Sequence, residues 1–209
     1  MAELDKLQGQ HLDVLREVGN IGAGNAATAL SGLLSKKIDM NVPAIKVVGF
    51  NELMEYVGGP EQVIVSVFLR IQGDAPGNMF FVLSPEEASS LVTELTGATA
   101  DNLEENELAI SAISEIGNIL SGSYLSALSD FTSINMQPTV PNVAIDMAAA
   151  ILMQGLLEMS QENDYAIIID TTIEEEVQQS KESIKGHFFL LPDPDSFDEI
   201  FQALGVEVE

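Results

Sequence analysis

The chain has 209 residues, of which 46% are hydrophobic and 20% are charged, and these values are typical of a globular protein rather than a disordered, collagenous or rod-like chain. The absence of cysteine excludes disulfides, thiolate metal sites and a catalytic thiol. The 33 acidic and 8 basic residues give a net charge of −25, and such a surface repels nucleic-acid phosphates and anionic lipids. Without a signal peptide or an uncharged apolar run of about 18 residues, we expect a cytoplasmic protein with no membrane span and no nucleic-acid partner.

Hydrophobic spacing and turn residues predict the same order in both halves: helix, strand, short helix, two strands and helix. In the first half, Ser84-Pro85-Glu86-Glu87 predicts the start of the last helix because it supplies a cap, a proline and acids to the first turn. The other predicted elements of this half are a helix at 5–36, a strand at 45–50, a short helix at 52–57 and strands at 63–71 and 79–83. Those of the second half are helices at 105–132 and 146–159, strands at 165–172 and 185–191, and a helix at 195–204.

An internal repeat explains why the two halves agree. Residues 13–43 align without a gap to residues 111–141 at an offset of 98, and 11 of the 31 positions are identical. The segment 101–106 joins the two copies. The chain is therefore a tandem duplication.

The duplication predicts how the strands are arranged. A half with three strands leaves open sheet edges, so the two halves are expected to pair their strands. We predict an α/β fold, a tandem pseudo-two-fold repeat with a mainly antiparallel sheet flanked by two long helices. Residues 1–209 are expected to form a single domain of two repeats, about 1–100 and about 101–209.

The two long helices keep one polar pair. At about 100° per residue, Glu17 and Asn20 lie side by side on the face opposite the leucines. Glu115 and Asn118 occupy the same places in the second helix. A single exposed acid and amide would be an ordinary solvated face, but the copies kept this pair while 20 of the 31 aligned positions diverged. The pair is therefore a candidate functional site.

Glycines also recur beside the polar pair. Gly19 and Gly24 of the first helix correspond to Gly117 and Gly122 of the second. Each glycine inside a helix costs about 1 kcal/mol relative to alanine. Two explanations stay open at this point: the glycines permit close packing between helices, or they permit the close approach of a partner.

The spacing around each pair carries a resemblance. Two sets of residues follow the pattern (D/S)-x3-E-x2-N-x22-P, namely Asp13, Glu17, Asn20 and Pro43, and Ser111, Glu115, Asn118 and Pro141. This pattern is similar to the signature of the CheC/CheX/FliY phosphatases of bacterial chemotaxis. The layout of two repeats resembles the stand-alone CheC branch, because no residues remain for the additional flagellar-switch domain of FliY-like members. A structural flagellar-switch component is correspondingly disfavoured.

The resemblance implies a hydrolase that acts on phosphorylated CheY, a response regulator of two-component signalling. It implies that Asn20 and Asn118 orient the attacking water, while Glu17 and Glu115 pair with a lysine of the regulator. The chain itself would need no cofactor, because Mg²⁺ is expected on CheY.

Asp13 and Ser111 lie one helical turn before the glutamates, and the resemblance implies that they contact the partner at the rim of the site. Pro43 and Pro141 are predicted to start strands and to have structural roles.

A second partner is implied by another segment. Ala144-Ile145-Asp146-Met147 and the alanines after it resemble the helix through which CheC proteins bind CheD, the receptor deamidase. Asp146 and Met147 are therefore candidate partner-binding residues. By their spacing alone, Met147 and Met153 would be more typical of a core. The alternative function is a non-catalytic module that sequesters CheD or CheY.

Two weaker signals are set aside. The segment 22–27 matches the dinucleotide pattern G-x-G-x-x-A, but it lies inside a helix and does not follow a strand. His11 falls on the apolar face, and two isolated histidines, His11 and His187, do not make a zinc site.

The repeats also differ beside their pairs. The second helix carries the bulkier Leu120, Tyr124 and Leu125, of which the helical wheel places Leu120 towards the core and Leu125 near the polar stripe. We therefore predict two independent sites of unequal activity.

Overall fold

The order of helices and strands follows the duplication closely. The computed structural model describes residues 9–97, 102–156, 165–175 and 183–205. The first repeat contains α1 (Gly9–Leu34), β1 (Ile38–Asn41), β2 (Ile45–Gly49), α2 (Phe50–Tyr56), β3 (Val63–Gly73), β4 (Gly77–Leu83) and α3 (Pro85–Thr96). The second contains α4 (Glu107–Thr132), β5 (Met136–Pro138), β6 (Asn142–Met147), α5 (Ala148–Leu156), β7 (Tyr165–Glu175), β8 (Ser183–Pro192) and α6 (Pro194–Ala203), after a 3₁₀ turn at Leu103–Glu105.

All eight described strands belong to one antiparallel sheet. Its order is β1-β7-β8-β4-β3-β5, with β2 also pairing with β7 and β6 also pairing with β3. Exchanging each strand for its counterpart in the other repeat reverses this order and leaves the pairing unchanged. The centre of the pattern is the pair β4 and β8, where Phe80 faces Phe189 and Phe81 faces Phe188. The predicted pseudo-two-fold, antiparallel arrangement is thus confirmed, and each repeat pairs its first two strands with the other repeat.

Alternation along the strands creates two buried layers. One face of the sheet packs under α1, α3, α4 and α6, and its largest side chains include Phe81, Phe188 and Leu69. The other face packs under α2 and α5, with Phe80, Phe189 and Leu53. Both faces are therefore covered by helices, with the two long helices on one side. Among the described residues, no helix is long and apolar enough to cross a membrane.

The long helices pack side by side, and Gly22 and Tyr124 make a close contact between them. A methyl group on Gly22 would lie 2.9 Å from Cδ1 of Tyr124, so this glycine is required for the close approach. The Tyr124 hydroxyl forms a buried 3.0 Å hydrogen bond with Thr171 Oγ1 of β7. At the pseudo-symmetric positions the sequence has Leu120 and Ala26, both fully buried. In both contacts α4 therefore supplies the larger residue and α1 the smaller one.

Local start and stop signals act as predicted at α3. The Ser84 side chain accepts a hydrogen bond from the Glu87 N–H (3.1 Å), Pro85 occupies the first turn, and Gly97 ends the helix at φ +69°. This arrangement satisfies orphan backbone groups at both ends of the helix.

Several sequence-based boundaries were wrong. The first helix ends at Leu34 rather than residue 36, the short strands β1 and β5 were not predicted, and β6 was indicated only by Pro141. Asp146 and Met147 end strand β6 instead of starting a helix. These strands are too short, or too polar, to show a clear alternation. Residues 1–8, at the predicted start of the first helix, lie outside the described residues.

Candidate functional site

In the first repeat, the polar pair lies on the solvent face of α1. Glu17 and Asn20 are both exposed, whereas Leu15 and Val18 are buried, so the face assignment from the sequence is confirmed. Asp13 is 67% exposed and forms a 3.0 Å ion pair with Arg16. The carboxylate of Glu17 is left free of ion pairs to described residues. The first site therefore presents an available acid beside an amide.

The amide of Asn20 is engaged at both ends. Its Oδ1 accepts a 3.1 Å hydrogen bond from the backbone N–H of Val42. Its Nδ2 donates a 2.9 Å hydrogen bond to the backbone carbonyl of Arg16, one turn earlier on the helix. Asn20 thus joins α1 to the segment that precedes Pro43. One lone pair and one N–H of the amide stay available, in an orientation that these two bonds fix.

In the second repeat, the corresponding amide is free. Glu115 and Asn118 are exposed on α4, together with Ser111 one turn earlier. Within the part of the chain that the structure describes, no residue hydrogen-bonds to the Asn118 side chain. Glu115 and Asn118 instead line an open cleft of about 360 Å³, whose far wall is the segment Pro138–Pro141. The second site therefore combines an acid, an unengaged amide and space for a bound group.

The two segments opposite the amides explain this difference. Val42 is only 4% exposed, whereas its counterpart Val140 is 89% exposed. A methyl group on Gly19 would lie 3.5 Å from Val42, so Val42 packs directly on α1. Thr139 binds Arg70 of β3 through its backbone N–H (2.8 Å) and its Oγ1 (3.0 Å), and its counterpart Asn41 pairs with Thr172 of β7. Both segments are therefore held to the sheet, but only the second one leaves its valine facing solvent.

Ser31 and Ser129, another identical position, have structural roles in both repeats. Ser31 Oγ accepts a 3.0 Å hydrogen bond from the Ile38 N–H. Ser129 Oγ donates a 2.5 Å hydrogen bond to the Ile134 carbonyl. Each serine therefore anchors the chain just after its long helix. Pro141 directly precedes β6 and Pro43 lies two residues before β2, so both prolines stand at strand starts as the sequence predicted.

The bulky residues of α4 do not border the polar pair. Leu120, Tyr124 and Leu125 are 0%, 4% and 1% exposed. Leu125, which the helical wheel placed near the polar stripe, lines a small apolar space together with Leu15 of α1. The neighbouring long helix covers that edge of α4, so the expectation for Leu125 was wrong.

The candidate partner residues of the second half lie at the junction of β6 and α5. Asp146 is exposed, and its Oδ1 accepts a 2.7 Å hydrogen bond from the Met147 N–H. Met147 and Met153 are 46% and 54% exposed, so the expectation that they belong to the core was wrong. The junction therefore presents an acid and two apolar side chains to solvent.

A separate polar cluster lies on the opposite face of the sheet from the long helices. The Tyr56 hydroxyl donates to Asp170 Oδ2 (2.7 Å) and accepts from Lys46 Nζ (3.1 Å), while His187 Nδ1 lies 2.8 Å from Asp170 Oδ1. Burial raises the pKa of Tyr56. The cluster ties α2 to the sheet, and it gives His187 a partner that the sequence did not reveal. The side chain of His11 lies outside the described residues.

Sequence reasoning found both polar pairs but missed the partner of Asn20. The signal was present in the spacing, because the 22 residues between Asn20 and Pro43 end at Val42, whose N–H the amide binds. The same spacing in the second repeat ends at Val140, which makes no such bond to Asn118. Spacing alone therefore cannot show which of the two asparagine side chains binds the opposite segment.

Comparison with known proteins agrees with the repeat. The CheC-like family matches residues 11–47 and 108–145, which contain the two polar pairs. Over the full length of both chains, the protein is 43% identical to a Bacillus subtilis protein named CheY-P phosphatase CheC.

Solved structures agree with the fold. The Thermotoga maritima FliY structure superposes with a TM-score of 0.72 at 22% identity, covering 95% of this chain and 98% of that one. The FliM middle domain from H. pylori superposes with a TM-score of 0.67 at 13% identity, covering 94% and 99%. With the full-length identity and the two matched repeats, the chain belongs to the CheC-like family.

Proposed function

We propose that this chain is a phosphatase that hydrolyses the aspartyl phosphate of the response regulator CheY. The observation that carries the proposal is the exposed pair Glu115 and Asn118 beside an open cleft. It occurs in a chain with 43% full-length identity to a relative named CheY-P phosphatase CheC.

The proposed chemistry requires little from the enzyme beyond positioning. A water molecule attacks the phosphorus in line, and the bond between phosphorus and the aspartyl oxygen breaks. The aspartate keeps the electron pair, and both water protons leave with the phosphate as dihydrogen phosphate. CheY would supply Mg²⁺ and a lysine to neutralise charge. The chain would supply an amide that orients the water without ionising.

Asn118 is suited to this role because its amide is unengaged. It can accept a hydrogen bond from the water through Oδ1 when the phosphoryl group enters the cleft. Asn20 offers the same group in an orientation fixed by Val42 and Arg16. We therefore assign most of the turnover to the second repeat and a smaller part to the first.

The glutamates fix how the regulator docks. Glu17 and Glu115 are exposed carboxylates next to the amides, and a lysine on the regulator would form an ion pair with them. The net charge of −25 favours encounter with a cationic face of the partner. Asp13 and Ser111 contact the rim of the docked partner.

The decay of radiolabelled CheY phosphate tests the proposal. Adding the wild-type protein should speed the decay, and the double variant Asn20→Ala/Asn118→Ala should abolish the gain while CheY binding survives, because a water-orienting group acts mainly in the transition state. Wild-type turnover in the double variant would refute the mechanism. Tight binding of CheY with no acceleration by the wild type would favour the non-catalytic alternative.

Binding of the receptor deamidase CheD is a second proposed activity. The exposed side chains of Asp146, Met147 and Met153 at the β6–α5 junction support it, because exposed methionines suit an adaptable protein interface. Met147→Ala together with Met153→Ala should weaken CheD capture in a calorimetric titration and leave CheY dephosphorylation unchanged. Unaltered CheD affinity would place the interface elsewhere.

A further inference from the structure

The described glycines inside the two long helices differ in their surroundings. Methyl groups on Gly19, Gly22 and Gly117 would lie 3.3 Å from Ile45, 2.9 Å from Tyr124 and 2.6 Å from Val67, respectively. These three glycines allow the helices to approach each other and the sheet. Internal packing thus accounts for them fully.

Gly24 and Gly122 have no such explanation. A methyl group at either position would meet no atom within 4 Å beyond the helix's own backbone. Each residue lies within a helix of 26 residues, far from both ends, and no cap or turn requires it there. Each costs about 1 kcal/mol relative to alanine. Nothing inside the described protein offsets that cost.

Both glycines lie on the functional stripe. Gly122 follows Asn118 by four residues and Glu115 by seven, so it lies about 40° from the amide and about 20° from the acid on the helix. Gly24 has the same relation to Asn20 and Glu17. The stripe that presents an acid and an amide to a partner therefore continues into a bare patch of backbone, one turn beyond the amide.

A third open glycine provides an internal comparison. Gly32 of α1 also has no atom within 4 Å of an added methyl group, but its counterpart in the second repeat is Asp130. Gly32 lies about 120° away from Asn20 around the helix. The open glycine on the stripe is thus kept in both copies, whereas the open glycine off the stripe is replaced.

We infer that Gly24 and Gly122 determine specificity by leaving room for the backbone of the phosphorylated receiver. This inference rests on the proposed function. The bare helix surface lets the receiver pack closely against the helix, one turn away from the amide. Any side chain at these positions would hold the receiver off the helix.

The test compares three proteins in the hydrolysis of phosphorylated CheY. They are the wild type, the double variant Gly24→Ala/Gly122→Ala and the control Gly32→Ala. Each alanine should raise Tm by about 2–4 °C because of its helix propensity. In the double variant KM should rise about tenfold, because an added methyl group overpacks the interface, with kcat within about twofold of the wild type. The Gly32→Ala variant should show a raised Tm and an unchanged KM.

Each outcome has a defined meaning. A double variant with raised Tm and unchanged KM overturns the inference. A double variant whose kcat falls while KM is unchanged overturns it also, because that result would indicate a role in the chemical step. A wild type that does not accelerate the decay refutes the proposed function instead. A raised KM in the double variant and an unchanged KM in Gly32→Ala together support the inference.

Discussion

The first and second repeats carry the same residues in different states. Asn20 is bound by Val42 and by its own helix, while Asn118 is free beside a cleft of about 360 Å³. The difference arises not in the helices but in the segments opposite them, where Val42 is buried and Val140 is exposed. Identical side chains at identical spacing can therefore lie in different surroundings.

The duplication allows the two copies to differ without a change of fold. The repeats share one sheet, and the first copy ties α1 to its neighbouring segment while the second copy keeps an open cleft.

The largest expected effect is a difference in CheY affinity between the two glutamate variants. Glu115→Ala should weaken binding of beryllofluoride-loaded CheY by about 30- to 100-fold, because it leaves the partner's lysine unpaired at the occupied site. Glu17→Ala should change the affinity by less than about threefold. Surface plasmon resonance measures both affinities. Glu104→Ala, which removes an exposed acid elsewhere, controls for the change in net charge. Equal losses from Glu17→Ala and Glu115→Ala would contradict the division between the repeats.

The next effect is a pH dependence of stability that arises from Tyr124 of α4, which has no titratable counterpart in α1. Burial raises the pKa of Tyr124 to about 12 from its ordinary value of 10.0. Above pH 10 the unfolded chain loses this proton while the folded chain keeps it, so the free energy of unfolding should fall as pH rises from 10 to about 12. The loss amounts to about 2–3 kcal/mol at most.

Urea unfolding of the wild type and Tyr124→Phe across this pH range measures that loss. The phenylalanine variant should show a flatter dependence on pH, and parallel curves for the two proteins would contradict the expected titration. Ala26, the counterpart of Tyr124 in α1, cannot titrate, so this dependence belongs to one helix only.

The smallest expected effect is on the free energy of unfolding. Here the first repeat should be the more sensitive one, whereas in CheY binding and turnover it should be the less sensitive one. Asn20→Ala should be less stable than Asn118→Ala by about 1–2 kcal/mol, because only Asn20 loses two hydrogen bonds. Both substitutions gain the same helix propensity, so the difference between the variants isolates those bonds. Urea unfolding at neutral pH gives the two values. A less stable Asn118→Ala variant would show that the free amide is in fact the structural one.

The parts of the fold that follow local rules were predictable from the sequence. The helix start at Ser84 and the exposure of Glu17 and Asn20 depend on the spacing of nearby residues. The repeat predicted the symmetry of the sheet, because two similar halves with open edges must pair with each other.

The parts that depend on a neighbouring element were not predictable. The helical wheel placed Leu125 near the polar stripe because a wheel does not include α1, which covers this residue. Val140 and Val42 are the same residue at the same spacing, yet Val42 packs on α1 and is buried while Val140 is exposed. A single sequence contains no local signal for such a difference.

Turnover of the two single asparagine variants tests the central claim most directly. In a phosphate-release assay with phosphorylated CheY, Asn118→Ala should keep less than about a tenth of the wild-type rate, as expected when a group that stabilises the transition state is removed. Asn20→Ala should keep about nine-tenths or more, and the two losses should roughly sum to the loss in the double variant, because the sites lie on separate helices. If Asn20→Ala removes most of the activity, or if both variants lose equal fractions, the assignment of turnover to the second repeat is contradicted.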